Sequence, residues 1–222
     1  MKAVDFVRDG LVAAAGGAKG GFLPKNVVFV VHKPGYQAYR KSVESVYKSH
    51  GFIPVLLFSR GVSRRMVRRV YSASFQKAKR INPHVEEQLL KKYPSKSPSD
   101  KNIAVEFLFI PNSAIKKIGA SDAWDAIKKV TGLTYPRLAA KRFYRDGFPT
   151  IRGRAFIDFR KGAAPEPQPP LNVVHVPDPH KVALENGFLT GRLKDLHIFI
   201  PWSAVLKARG NYKKLVREGM IK

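Results

Sequence analysis

Arg152-Gly153-Arg154-Ala155-Phe156-Ile157-Asp158-Phe159 sets a glycine between two arginines and then runs into alternating apolar residues; its reading decides the fold. As a strand it has two faces, because successive side chains point to opposite sides. Ala155, Ile157 and Phe159 then suit a core, while Arg152, Arg154, Phe156 and Asp158 share the other face. Two guanidinium groups beside an aromatic ring can hold phosphate and stack a base together. An ordinary half-buried strand with a solvated basic face is the plainer alternative.

Around this stretch lies a chain of 222 residues in which 41 Lys and Arg face 16 Asp and Glu, a formal charge of +25. Such an excess suits a protein whose counterions are phosphates better than a freely soluble metabolic enzyme. A hydrophobic content of 44% excludes a disordered basic tail, since there is enough apolar material to offset chain entropy. Cysteine is absent, which excludes disulfides, thiolate chemistry and Cys-ligated zinc. No run approaches the roughly 20 apolar residues of a spanning helix, so no membrane partner is expected. Residues 1–26 form an N-terminal segment; Asp5 and Asp9, with no serine before Ser42, argue against a mitochondrial presequence.

Residues 27–92 read as strand, helix, strand and a basic helix. Val27 to Val31 is an apolar run closed by Lys33, Pro34 and Gly35, a buried strand followed by a turn. Tyr36, Tyr39, Val43, Val46 and Tyr47 recur at helical spacing up to His50, where Gly51 supplies a stop. Phe52 to Phe58 makes a second strand. Arg60, Arg64, Arg65, Arg68, Arg69, Lys77, Lys79 and Arg80 then fall in a stretch with no acid. Ser63 can cap a helix there, with Val67, Val70, Tyr71, Phe75 and Ala78 on one stripe. A solvated surface helix normally carries both signs, and an all-positive face repels itself unless phosphates neutralise it. A short helix falls within 83–92, and residues 93–102 read as a linker.

Beyond the linker, Val105 to Ile110 alternates as a strand with Phe107 and Phe109 on one face and Leu108 and Ile110 on the other. Asp122 caps a helix through Val130, with Trp124 in the core. Lys141, Arg142 and Arg145 interleave with Tyr135, Phe143, Tyr144 and Phe148, which fits either a nucleic-acid-binding strand or loop, or a surface helix. Four prolines in residues 162–170 make an extended insertion. A short helix from Asp178, a strand from Leu196 to Ile200 and a basic C-terminal helix within 201–222 complete the expectation.

Residues 103–200 resemble an RNA recognition motif (RRM). Arg152 to Phe159 follows that family's octamer of basic, Gly, aromatic, Gly or Ala, aromatic, aliphatic, any and aromatic residues, with Arg154 in place of one ring. Leu108, Phe109, Ile110, Pro111 and Asn112 are similar to its first-strand hexamer, and Ala183 to Arg192 to the run before its last strand. The resemblance implies an α/β (α+β) class, a βαββαβ RRM-like sandwich preceded by the smaller strand-helix-strand part with its basic helix. It implies stacking by Phe109 and Phe156, phosphate pairing by Arg152, and a sheet face extended by His197 and Phe199.

Charge lies mostly outside that unit: +14 in residues 1–102, +6 in 103–200 and +5 in 201–222. A protein set into a large folded RNA spreads its charge in this way. The sequence therefore leads to a non-catalytic RNA-binding protein, a constituent of a ribosome (mitochondrial slightly preferred over cytoplasmic) or a similar ribonucleoprotein, with rRNA and neighbouring subunits as partners. An RRM-type factor in messenger or precursor RNA processing is the alternative. A nuclease using Asp158 and Glu106 for Mg2+, beside Arg160 and Lys161, lacks a third carboxylate. His175 and His180 lack metal-ligand spacing, so no cofactor, metal or catalytic residue is expected.

Overall fold

In the computed structural model, residues 24, 26–80, 83–95, 101–132, 147–162, 173–176 and 202–221 are described. β1 (Val27–His32) is buried at every position. After the turn at Lys33 to Gly35, a 3-10 turn (Tyr36–Tyr39) leads into α1 (Arg40–His50), which ends at Gly51. β2 (Ile53–Arg60), α2 (Arg64–Lys79) and α3 (Val85–Leu90) follow. β3 (Ile103–Phe109) is again buried throughout. α4 (Asn112–Ile118), α5 (Ala123–Thr131), α6 (Ile151–Arg160), the two-residue β4 (Val174–His175) and α7 (Trp202–Arg217) complete the described elements.

The four strands form one antiparallel sheet in the order β2-β3-β1-β4. The fold is thus mixed α and β; α2 and α3 lie between β2 and β3, and α4, α5 and α6 between β3 and β4. The sheet expected within 103–200 instead takes its first strand at Val27 and its last at His175, and Arg152 to Phe159 supplies it no strand. β3 lies between β1 and β2, so a single sheet draws strands from both sides of residues 93–102.

Helices cover both faces of the sheet. On one face Val27, Phe29, Val31, Ile103, Val105, Phe107 and Phe109 pack under Val67 and Phe75 of α2, Leu89 and Leu90 of α3, and Ala204 and Ala208 of α7. On the other, Val28, Val30, Leu108 and Ile110 pack against Val43, Val46 and Tyr47 of α1, Ile127 and Val130 of α5, and Ile151 and Ala155 of α6. Burial on both sides is why β1 and β3 read as continuous apolar runs. At the outer edge, the ladder of β2 slips between Pro54 and Leu56. The Val55 carbonyl at this irregularity accepts 2.9 Å from Asn211 Nδ2 of α7.

Arg152 to Phe159 is not a strand. It lies inside α6, whose N-cap Thr150 accepts from the Gly153 amide at 3.1 Å. Ile151, Ala155 and Asp158, at i, i+4 and i+7, make the stripe turned to α1, while Gly153 and Ile157 are buried on a second side. Burial on two sides of a short helix produces an alternation that also reads as a strand. The octamer therefore presents no sheet face, and Phe156 packs beside Phe159, ring centroids 6.3 Å apart.

Candidate functional site

The chain leaves β1 through Lys33, whose amide donates to the Val173 carbonyl at 3.0 Å and whose carbonyl accepts from the Tyr36 amide at 3.1 Å. Both backbone ends are fixed, so the side chain starts from a rigid point where β1 meets β4. Lys33 is buried, and burial brings its ammonium down to about 7, with the positive charges of Arg152 and then Lys92 adding to the effect. No carboxylate contributes. Lys92, half buried just after α3, is itself lowered by burial.

Arg152 reaches this place from the first turn of α6, its Nη1 donating to the Gly132 carbonyl at 2.9 Å. Gly132 holds φ +87, and a Cβ there would stand 2.7 Å from Thr150 Oγ1, the atom that caps α6. One close approach thus sets the Gly132 carbonyl, the cap and the guanidinium together. His175 of β4 pairs with Val31, and paired residues share a face. Its imidazole therefore starts on the face to which Val31 belongs, one strand from Lys33. Lys33, Lys92 and Arg152 thus carry three positive charges that act on one another, with Lys33 the most buried of them.

A second polar cluster lies on the α1 face. His32 Nε2 and Glu106 Oε2 are 2.8 Å apart and buried. Burial, and then the Glu106 charge, raise the Tyr47 phenol. Asp158 is engaged elsewhere, by the Ser42 hydroxyl and by Arg154 Nε at 3.1 Å. The two carboxylates proposed as a metal pair have separate partners, and no group of three His, Cys, Asp or Glu suited to a metal occurs among the described residues.

The remaining basic positions divide. Arg60 ends β2, its guanidinium lowered by burial. Arg64 Nε donates to the Tyr93 carbonyl at 2.6 Å. Arg65 and Arg80 are exposed. Arg68 and Lys79 converge on Glu86 of α3, at 2.7 and 2.6 Å; the acid missing from the stretch 60–80 comes from the next helix. Arg69 and Lys77 belong to α2, but their side chains, like Lys141, Arg142, Arg145, His197 and Phe199, lie outside the described residues. Phe109, expected as a stacking ring, is only 7% exposed and packs on Tyr212 with centroids 5.5 Å apart. Sequence reasoning missed Lys33, Lys92 and His175 as a group. The turn after β1 was legible, but nothing in the spacing joins residues 33, 92, 152 and 175.

No protein-family model matches this sequence, and neither does any curated protein sequence. Among solved structures the chain is similar to a nucleoside diphosphate (NDP) kinase from Pyrobaculum aerophilum, at 20% identity over 74% of this chain and 95% of that one, with a TM-score of 0.43. It is also similar to a halophilic nucleoside diphosphate kinase from Halobacterium salinarum in complex with CDP, at 12% identity over 82% and 91%, with a TM-score of 0.44. The expectation of a non-catalytic RNA-binding constituent of a ribosome, with its RNA-processing and nuclease alternatives, is corrected on these findings. Its RNA-reading strand is a helix, its stacking ring Phe109 is buried under α7, and its metal carboxylates are engaged apart.

Proposed function

We propose that the protein binds the phosphate groups of a nucleoside di- or triphosphate at Lys33, Lys92 and Arg152. The observation that carries this reading is Lys33, buried where β1 meets β4 and anchored at both backbone ends, with Arg152 and Lys92 as positive charges acting on it. A buried charge without a counter-charge is costly, and an entering phosphate supplies that counter-charge. Titration calorimetry with CDP and with inorganic pyrophosphate tests it. Both bind to the native chain, and Lys33→Met or Arg152→Met weakens both by roughly ten- to a hundredfold, the loss expected for a hydrogen bond to a charged group. Unchanged affinity in either variant ends the proposal.

The place of His175 favours a second reading, in which the bound phosphate is also transferred. Histidine is among the side chains that form covalent intermediates, and His175 of the edge strand β4 lies opposite Val31, two residues before Lys33. Incubation with γ-labelled ATP then leaves an acid-labile phosphoryl group on the protein, absent from His175→Gln. No label on the native chain leaves phosphate binding as the whole function.

A further inference from the structure

Two polar residues interrupt the apolar core on the α1 face, and neither belongs to the phosphate site: His32 at the end of β1 and Glu106 within β3, both buried. Glu106 pairs with Val30 on one side and with Leu57 of β2 on the other, and paired residues share a face. His32 stands two residues along from Val30, so its ring meets Glu106 on the diagonal, Nε2 to Oε2 at 2.8 Å. A carboxylate only accepts, so Nε2 carries the hydrogen and the neutral ring keeps its lone pair on Nδ1. That buried Nδ1 has no partner among the described residues, an unfavourable state for a polar atom taken out of water. Tyr36, Arg40, Glu44 and Leu57 join the pair in lining one cleft, which has room for a group about the size of a water molecule. The Tyr36 ring, its centroid 5.0 Å from that of the imidazole, is the aromatic wall. Arg40 and Glu44 bond to each other 2.7 Å apart, half exposed at the mouth, and Leu57 is 38% exposed on the edge strand.

We propose that this cleft binds a primary aliphatic amine in its ammonium form, an N–H donating to His32 Nδ1, the positive charge held beside Glu106 and the alkyl stem leaving past Tyr36 and Leu57. The lining charges favour it: two carboxylates face one guanidinium, a locally acidic place in a chain of formal charge +25. The Tyr47 phenol, raised by burial and by Glu106, stays protonated and adds no charge. An ammonium group is close to water in size and brings only donors to a floor that offers acceptors. An aromatic wall also favours a cation over an anion. The ligand is thus opposite in sign to the one proposed for Lys33, and the two sites share no residue, so either can fail alone.

Ring nitrogen spectra of the full chain, isotopically labelled at histidine and titrated at fixed pH and ionic strength with n-butylammonium, methylammonium and tetramethylammonium chlorides, test this. Both primary amines move the His32 Nδ1 signal saturably, and tetramethylammonium, which has no N–H, does not. His32→Gln removes the signal and so assigns it. Arg40→Gln, which takes away the guanidinium of the lining, tightens both amines by roughly two- to fivefold, whereas Lys213→Gln, the same loss of charge at an exposed position on α7, changes neither. Glu106→Gln weakens both by roughly tenfold or more, through loss of the charged partner. Leu57→Ala weakens n-butylammonium and leaves methylammonium unchanged. Absence of a saturable shift, or an equal shift with tetramethylammonium, refutes the site. An equal gain in Lys213→Gln means a diffuse field and refutes it too. Full n-butylammonium affinity in Leu57→Ala overturns the course of the stem, and with it the assignment to an aliphatic amine. Undiminished binding by folded Glu106→Gln overturns the proposal; if that variant does not fold, Arg40→Gln decides, and unchanged or weaker binding there has the same result.

Discussion

Lys33 concentrates the tension between stability and binding. Its native ammonium titrates near 7 against an ordinary 10.5. Between those values the unfolded chain holds a proton that the native chain lacks, so this residue makes stability rise with pH; its full contribution is present above about 10.5 and is lost as pH falls through about 7. Denaturant titrations between pH 7 and 10 should therefore show a rising term that Lys33→Met abolishes. Binding runs the other way. An anion needs the protonated amine, and with Arg152 and Lys92 the other charges acting on it, affinity for pyrophosphate should fall between pH 7 and 9, and calorimetry in buffers of different ionisation enthalpy should show proton uptake. Phe109 belongs at this scale as a core residue. Phe109→Ala should lower stability by about 3–5 kcal/mol in chemical unfolding, through lost packing against Tyr212, and a variant that stays as stable as the native chain would contradict its burial.

Elements carry the next lesson. Most were legible: β1 and β3 from continuous apolar runs, α1 from its spacing and the glycine after it, α5 from its Asp122 cap, which accepts the Asp125 amide at 2.9 Å. α6 was not, because alternation over eight residues does not separate a strand from a helix buried on two sides. The local signal that does separate them is Thr150, a capping residue just before the stretch. Thr150→Ala should cost about 1–2 kcal/mol and shift Arg152. Gly132→Ala should lower both stability and pyrophosphate affinity, because its Cβ meets the same hydroxyl; unaltered binding would separate Arg152 from this support. In α7, Gly210 lies in mid-helix with open space around it, so Gly210→Ala should raise stability by about 0.5–1 kcal/mol. Thermal unfolding measures all three.

For the whole molecule, the succession of strands and helices was legible but the pairing was not. The linker at 93–102 marks a change of composition, whereas β3 crosses it to lie between β1 and β2, a neighbour relation set by long-range packing. The same holds for the site. Positive charge was plain in the composition, yet Lys33, Lys92 and Arg152 come from three separated stretches, and the charge-rich stretch 60–80 turned out partly neutralised by Glu86. Which cations meet an acid is a property of the assembled layers.

The pairing of Val31 with His175 has a consequence for how the chain reaches its native state. Joining the first strand to the last must close most of the sequence into a loop. Each doubling of loop length adds only about 0.6 kcal/mol of closure entropy, but such distant pairings form late. Lys33 takes its backbone anchor from Val173, so the phosphate site completes when β4 docks. In stopped-flow refolding, pyrophosphate binding should appear with the slowest phase, after the secondary structure, and a nascent chain still lacking residues beyond 162 should be helical and sheet-containing yet unable to hold the ligand.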